Sequence, residues 1–161
     1  MERKLLRHLL NATPGSQTAS YKILGKDLEE FNTEYNAEID KKQNILGELS
    51  VKLKSYEVQS GVEPYYLEDD DPLTDFILDI ADNRKVLEKV KTDYLEVRLW
   101  EETSANSGIF NAYKEDVYIE VTNKGGDTSG VQASFNIHHT GNITKGTYNT
   151  STGTFSASAS A

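Results

Sequence analysis

The fold is decided by residues 117–137, which read VYIEVTNKGGDTSGVQASFNI. Apolar and polar residues alternate on both sides of a glycine-rich centre, first over residues 117–121 and again over residues 131–137. Alternation places successive side chains on opposite faces of a strand, so each segment is expected to be a strand with one buried face. Residues 125–130 supply turn chemistry between them. The stretch therefore predicts an antiparallel hairpin.

The same alternation recurs on both sides of this hairpin. It appears in residues 95–100 and 143–148, and a short segment at residues 154–155 ends the β pattern. The connections are short and rich in glycine, asparagine and serine, which favours antiparallel neighbours. The sequence predicts a mainly β fold, an antiparallel β-sandwich or barrel.

One α-helix is predicted to flank this sheet, over about residues 72–88. Pro72 suits the first position of a helix, and Asp71 before it suits the N-cap. The expected apolar face would close the core. Its members are Leu73, Phe76, Ile77, Ile80, Ala81 and Leu87.

A second hairpin, acidic on its polar side, is predicted before the helix. Residues 31–39 alternate between apolar or small and polar side chains, and the alternation resumes over residues 45–53. Residues 40–44 provide the polar turn between them. Because such strands exceed the usual ~5–6 residues, we expect this hairpin to project beyond its own domain and to find partners there.

The chain divides into a basic N-terminal arm, residues 1–19, and one domain, residues 20–161. A length of 161 residues is that of a single domain. Four leucines within residues 5–10 have helical spacing, and turn residues follow them. The arm is expected to dock on a neighbouring molecule as a short helix or to fray.

Composition excludes several classes of protein. The chain has no cysteine, which rules out a disulfide framework, a thiolate zinc site and a cysteine nucleophile. Its 17 basic and 26 acidic residues give a net charge of −9, which repels nucleic-acid phosphates. No run approaches the ~18 consecutive apolar residues of a membrane span, so membrane insertion is not expected.

No motif indicates an enzyme, a metal site or a cofactor. The acidic residues 68–71 lack the ligand spacing and closing glutamate of a calcium loop, and we interpret them as a helix cap. His138 and His139 are adjacent on a predicted strand, so they point to opposite faces and cannot share an ion. The glycines of residues 125–130 lack the Lys-Ser/Thr of a phosphate-binding loop. No serine occupies a nucleophile-elbow pattern, and we expect no catalytic activity.

Over residues 20–156 the chain resembles the tail tube proteins of long-tailed phages. The segments that carry the resemblance are KDLEE at 26–30, NILGE at 44–48, LEVRLWEE at 95–102, FNAYKEDVYIEV at 110–121, GGDTSG at 125–130 and FNIHHTGN at 135–142. In that family the subunit is a β-sandwich with a flanking helix. Six subunits close a ring whose inner sheets join into a barrel around a channel, and the rings stack into a tube.

The resemblance implies a structural subunit of a phage tail tube that conducts DNA during ejection. The implied partners are further copies of this chain in stacked hexameric rings, together with tape measure, tail-tip and tail-terminator proteins. DNA would pass transiently and without sequence specificity. The implied location is the virion tail, after assembly in the host cytoplasm.

Acidic side chains on strand faces are the candidates for the channel wall. Each phosphate neutralised by a basic side chain strengthens DNA binding, so a conduit is expected to have repulsive or neutral walls. By alternation alone, these acids fit a solvated outer face equally well. The resemblance and the charge of −9 favour the lumen. The candidates are Glu30, Glu34, Glu38, Asp116 and Glu120.

Contacts between stacked rings are expected at the tip of the acidic hairpin and in the N-terminal arm. Lys52 and Lys54 are expected to pair with Glu30 or Glu34 across the hairpin, or to face a neighbouring subunit. The candidate residues at the tip are Asp40, Lys41, Lys42, Gln43 and Asn44.

Two alternatives remain open from the residues. One is another phage structural β-protein, such as a capsid decoration or head-to-tail joining component. The other is a β-sandwich module that binds carbohydrate or protein, for which Tyr65, Tyr66 and Trp100 are the available aromatic side chains. Self-association distinguishes these alternatives, because a tube subunit forms rings or filaments and a binding module stays monomeric.

Overall fold

The computed structural model describes residues 1–158 and confirms a mainly β fold. Eight strands form one antiparallel sheet in the order β2-β1-β7-β8-β9-β6-β3, with β10 beside β9, and β4 and β5 form a separate two-stranded sheet. The strands are β1 Leu6–Asn11, β2 Tyr21–Leu24, β3 Thr33–Glu34, β4 Ala37–Gln43, β5 Leu49–Tyr56, β6 Gln59–Tyr66, β7 Lys91–Glu102, β8 Ile109–Asp127, β9 Gly130–Asn149 and β10 Thr154–Ala157.

The hairpin predicted from residues 117–137 is the centre of the sheet. β8 and β9 pair along their whole length, from Ile109 opposite Asn149 to Asp127 opposite Gly130. The tight turn depends on glycine: Gly126 has φ of 133°, and a Cβ there would lie 2.1 Å from the carbonyl oxygen of Gly130. The predicted antiparallel hairpin is confirmed, and its strands are longer than the sequence pattern indicated.

The sheet curls so strongly that it buries an apolar cluster on each face. Tyr21 on β2 and Tyr148 on β9 meet edge to face at 6.4 Å although three strands separate them in the sheet. This curl encloses a cluster that includes Leu9, Leu95 and Val97. A larger cluster occupies the opposite face. The two clusters give the fold the packed layers expected of a β-sandwich.

The helix α1, Pro72–Asn83, covers the larger cluster. Asp71 is the N-cap, and its Oδ1 accepts a hydrogen bond from the Leu73 amide at 3.0 Å. The expected length to residue 88 is wrong. Arg84 adopts a left-handed conformation that ends the helix, and Leu87 lies in a separate 3-10 turn, Leu87–Val90, where its side chain is exposed. In residues 1–158 every helix is too short or too polar to cross a membrane.

The expectation that residues 1–19 form an arm is also wrong. β1 lies inside the large sheet, between β2 and β7, and Leu9 and Leu10 are 0% exposed. Consecutive leucines suit a strand that is buried on both faces as well as they suit a short helix. The basic residues that suggested an arm do not prevent the burial of β1, because Arg3, Lys4 and Arg7 are all exposed.

The hairpin predicted before the helix exists, but its boundaries differ from the prediction, and it is not acidic because residues 37–56 carry four lysines and three acids. Asn36, with φ of 41°, interrupts the first strand, so β3 joins the large sheet and β4 joins β5. Residues 40–43 are part of β4, and the turn comprises residues 44–48. The side chain of Asn44 organises this turn by accepting hydrogen bonds from the amides of Leu46 and Glu48, each at 2.9 Å.

The burial of β1 makes a leucine near the N-terminus critical for stability. We expect Leu10→Ala to lower the free energy of unfolding by about 2–5 kcal/mol, because it leaves a cavity in the larger cluster. The matched control is Leu46→Ala in the exposed hairpin turn, with an expected change within about 0.5 kcal/mol. Urea unfolding followed by circular dichroism measures both. A free energy of unfolding for Leu10→Ala equal to the parent's would contradict the placement of β1.

Candidate functional site

The β4–β5 hairpin, residues 37–56, projects from the body of the protein as an isolated two-stranded sheet. Every residue of β5 is exposed, and so is every residue of β4 except Asp40. The strands pair with register Gln43 to Leu49 and Ile39 to Leu53. A two-stranded sheet is at best marginally stable alone in water.

One face of the hairpin, which we call its apolar face, carries four aliphatic side chains together with Lys41 and Gln43. Ile39, Leu49, Val51 and Leu53 point to this face by alternation and register. Ile45 in the turn is fully exposed, and Leu46 beside it is largely exposed. Eight of the 15 large hydrophobic residues exposed in residues 1–158 lie in residues 35–56, seven in the hairpin and Tyr35 just before it. They are Tyr35, Ile39, Ile45, Leu46, Leu49, Val51, Leu53 and Tyr56. Such a concentration is typical of a protein-binding surface.

The other face of the hairpin is charged. Lys54 Nζ lies 4.0 Å from carboxylate oxygens of both Glu38 and Asp40, and Lys52 stands opposite Asp40 in register. The expected cross-strand pairs of these lysines with Glu30 or Glu34 do not form, because those glutamates belong to other segments. The whole hairpin, residues 37–56, carries four lysines and three acids, a charge of +1. Its outer part, residues 41–54, carries four lysines and one acid, a charge of +3, which leaves −12 for the rest of a chain whose total is −9.

A second surface is the polar half of one face of the large sheet, which we call the open face. Thr33 and Ser60 share a hydrogen bond on the opposite face, so alternation puts Glu34 and Gln59 on the open face. Asp116 and Glu120 lie there too, since Val117 and Ile119 between and beside them are buried on the other face. The open face includes Glu34, Gln59, Lys91, Asp93, Asp116, Tyr118, Glu120, Asn136 and His138.

Hydrogen bonds hold the acids of the open face in fixed positions. Glu120 Oε2 lies 2.9 Å from His138 Nε2, and Asp116 accepts a hydrogen bond from Asn142 at 2.6 Å. Tyr118 donates to Glu88 at 2.9 Å, and this bond raises the pKa of the Tyr118 hydroxyl. The open face is therefore a preorganised acidic surface without an apolar centre.

Three of the five channel candidates lie on the open face, and two do not. Glu34, Asp116 and Glu120 are brought onto it by β3 and β8. Glu30 is in the loop before β3, where it accepts a hydrogen bond from Asn32, and Glu38 is at the base of the projecting hairpin. The single strand that was expected to align Glu30, Glu34 and Glu38 does not exist, because the backbone turns at Asn36.

Four of the five residues expected at the hairpin tip lie in a strand instead, because the turn comprises residues 44–48. Asp40, Lys41, Lys42 and Gln43 belong to β4, and Asn44 begins the turn. The true tip carries Ile45 and Leu46, which sequence reasoning had placed in a strand. The available signal was Asn44 followed by Gly47, whose φ of 80° suits a turn rather than a strand.

A network of hydrogen-bonded polar side chains, which we call the buried polar network, crosses the larger cluster. The sequence pattern did not predict it. His139 Nδ1 lies 2.7 Å from Glu115 Oε1, and His139 Nε2 lies 2.9 Å from Ser60 Oγ. The second carboxylate oxygen of Glu115 accepts a hydrogen bond from the Gly141 amide at 2.8 Å. This order of serine, histidine and carboxylate matches that of a hydrolytic triad. Ser60 is 1% exposed and the His139 side chain 1%, so a substrate has no path to the hydroxyl.

The same interior holds a second histidine, on β1. His8 Nδ1 is hydrogen bonded to the Tyr94 hydroxyl, and its Nε2 lies 3.0 Å from the Arg3 guanidinium. Burial, with the positive charge of Arg3 and the proximity of His139, lowers the pKa of His8 from 6.5 to about 4. His8 is therefore neutral at pH 7 and joins β1 to β7 by hydrogen bonding rather than by an ion pair.

Other groups that the sequence singled out have structural roles. His138 and His139 lie on opposite faces, as predicted. Asp71 caps α1 and accepts a hydrogen bond from Tyr65 at 3.1 Å, which confirms the interpretation of the acidic run as a cap. Tyr65 is on β6 and Trp100 is on β7, two strands that β8 and β9 separate. No group of three or more metal-ligating side chains is assembled within residues 1–158.

Comparison with known proteins identifies no relative. The chain matches no protein-family model and no curated protein.

The buried polar network of Ser60, His139 and Glu115 is expected to stabilise the fold. Glu115→Ala removes the acceptor for both His139 and the Gly141 amide, and we expect a loss of about 1–3 kcal/mol in the free energy of unfolding. The matched control, Glu120→Ala, removes an exposed carboxylate from the same strand and is expected to change it by at most about 0.5 kcal/mol. Chemical denaturation of both variants is the measurement. Equal effects of the two substitutions would show that the chain of hydrogen bonds has no special role.

Proposed function

We propose that this protein is a structural subunit of a phage tail tube, which assembles into stacked hexameric rings around a DNA channel. The observation that carries the proposal is the projecting β4–β5 hairpin. Its apolar face and its backbone edges are exposed in the single chain, and burial in a neighbouring subunit would satisfy both. The resemblance of residues 20–156 to tail tube proteins supports the same reading.

The edges of the large sheet also favour assembly. β7 pairs with β8 only as far as Tyr118, whereas β8 continues to Asp127. The backbone groups of this second half therefore pair with β9 on one side and with no strand on the other. Exposed edges are the parts of a sheet that pair with further strands, and closing a ring removes them. In the proposed ring, the sheets of neighbouring subunits join through such edges.

The open face suits the wall of a DNA channel. Glu34, Asp116 and Glu120 would recur around the axis of a ring and repel the phosphates of the passing duplex. A wall of this kind releases no counterions from DNA, so it offers no binding energy that would hold the duplex in place. Glu30 and Glu38 are not part of the proposed wall, because they lie off this face.

The remaining partners follow from the proposed role. A tube subunit contacts tape measure, tail-tip and tail-terminator proteins, and it is located in the virion tail after assembly in the host cytoplasm. The proposal assigns no catalytic activity and no cofactor. The inaccessibility of Ser60 supports the absence of hydrolase chemistry at the one triad-like arrangement described above.

The hairpin is expected to be needed for assembly and dispensable for folding. Replacing residues 39–53 with Asn-Gly shortens the hairpin and leaves its base, Ala37 opposite Tyr56, intact. We expect the parent protein to form rings or tubes at high concentration in negative-stain micrographs. The shortened protein should stay monomeric in analytical ultracentrifugation and melt cooperatively near the parent temperature.

Other outcomes of this experiment separate the alternatives. A parent protein that stays monomeric at every concentration would contradict the tube proposal and favour a binding module. A monomer that attaches to phage capsids would favour a decoration protein. Tubes formed by the shortened protein would show that the hairpin does not mediate assembly.

Reversal of charge on the open face is expected to make assembled tubes retain DNA. Glu34→Lys combined with Glu120→Lys places a ring of basic side chains on the proposed wall. We expect these tubes to bind double-stranded DNA in a filter assay at low salt and to release it as salt rises. The control, Glu29→Lys with Asp75→Lys, changes the charge equally on the loop and helix that cover the opposite side of the sheet. Equal DNA retention by the control would contradict the assignment of the lumen.

A further inference from the structure

We propose that the tip of the β4–β5 hairpin docks into an acidic-rimmed cavity of a second copy of this chain, between the loop after β2 and the loop before α1. This inference rests on the self-association in the proposed function and names the surface that receives the hairpin. It assigns a role to the acidic residues 68–71 beyond capping the helix.

The inserted element is the turn, residues 44–48, with the lysines behind it. Ile45 and Leu46 are exposed at the extreme end of the hairpin, so they reach a partner first. Lys41, Lys42, Lys52 and Lys54 follow on the adjoining strands. Glu48 lies in the turn, and Glu38 and Asp40 lie nearer the base, where each is 4.0 Å from Lys54. The element therefore offers an aliphatic point surrounded by positive charge. Its receptor must combine an apolar floor with an acidic rim.

One cavity of the body has both properties. It has a volume of about 340 Å³, within the range of about 300–1,000 Å³ of ligand sites. Leu24, Val62 and Leu73 are buried at its floor. Its rim carries five acids, Asp27, Glu68, Asp69, Asp70 and Asp71, against Lys22 and Lys26. Asp69 and Asp70 are exposed, and so are free to meet lysines of another chain.

A second apolar groove is a poorer match for a basic hairpin. It lies between the end of α1 and β8, has a volume of about 660 Å³ and is lined by Val86 and Val121 among others. Its charged lining is balanced, with Arg84 and Lys85 against two acids, Glu88 and Glu120. The electrostatic attraction between this groove and the lysines of the hairpin is therefore weak. Electrostatic complementarity therefore selects the acidic-rimmed cavity.

A second copy of the chain is a better occupant for the hairpin than an anionic membrane. Outside residues 41–54 the chain has a charge of −12, which attracts the basic hairpin of another copy and is repelled by anionic lipid. The apolar face also continues along the strand through Leu49, Val51 and Leu53. A membrane-touching tip would need only its end to be apolar.

Cross-linking between two single-cysteine chains tests the contact. The protein has no native cysteine, so Leu46→Cys and Asp69→Cys each introduce a unique thiol. A mixture of the two under assembly conditions, treated with a short bismaleimide, should give a covalent dimer of twice the 18.0 kDa chain mass. The matched control pairs Leu46→Cys with Val86→Cys in the α1–β8 groove and should give little dimer. Tubes that cross-link through Val86→Cys, or through neither site, would overturn the inference and leave the proposed function intact.

An exchange of charges tests the electrostatic part of the contact. Lys52→Glu with Lys54→Glu should weaken self-association at least tenfold in sedimentation velocity at low salt, with a smaller loss at high salt. Adding Asp27→Lys and Asp69→Lys to the same chain should restore association, whereas Glu29→Lys with Asp75→Lys should not. Circular dichroism confirms folding of each variant. Equal rescue by both pairs would overturn the docking site, and so would binding to phosphatidylserine vesicles without self-association. If the parent chain itself never self-associates, the proposed function fails together with this inference.

Discussion

The rest of the structure depends on the pairing of β8 with β9. These two strands have 19 and 20 residues, and each uses its two halves differently. β7 joins the first half of β8, whereas β6 and β10 join separate parts of β9. Register shifts near Glu115 and Val121 add twist to the ladder. The offset and the twist together let one sheet curl around two apolar clusters on opposite faces.

The body and the hairpin differ in how far they bury their apolar side chains and satisfy their polar groups within the chain. In the body, the sheet buries its apolar side chains, and no buried side-chain polar atom within residues 1–158 lacks a hydrogen-bond partner. In the hairpin, the side chains on the apolar face are exposed and the strands pair only with each other. The hairpin therefore has apolar side chains that a partner could bury and strand edges with which a further strand could form backbone hydrogen bonds. The proposed assembly would use this combination of a self-sufficient body and an unsatisfied extension.

The buried polar network of Ser60, His139 and Glu115 shows why a triad-like arrangement of side chains alone does not establish an enzyme. Its distances are those of a nucleophile, a base and an orienting carboxylate. Burial excludes a substrate, and Thr33 hydrogen bonds to the serine hydroxyl at 3.0 Å. The hydrogen bonds of the buried polar network instead join β3, β6, β9 and β8 across the interior. A buried network with every member satisfied gives a core a unique arrangement, which suits a subunit whose outer surface must match its neighbours.

Three local features of this protein could be predicted from the sequence alone. Alternation in residues 117–137, the cap at Asp71 and the opposite faces of His138 and His139 are set by neighbours in the chain, and each is confirmed. Only the tertiary structure decided that Leu9 and Leu10 lie in an inner strand, because burial on both faces depends on β2 and β7. It also decided that Glu34 shares a face with Glu120, since strands distant in sequence bring them together. The break at Asn36 and the helix end at Arg84 required left-handed backbone conformations, which asparagine and arginine only weakly signal.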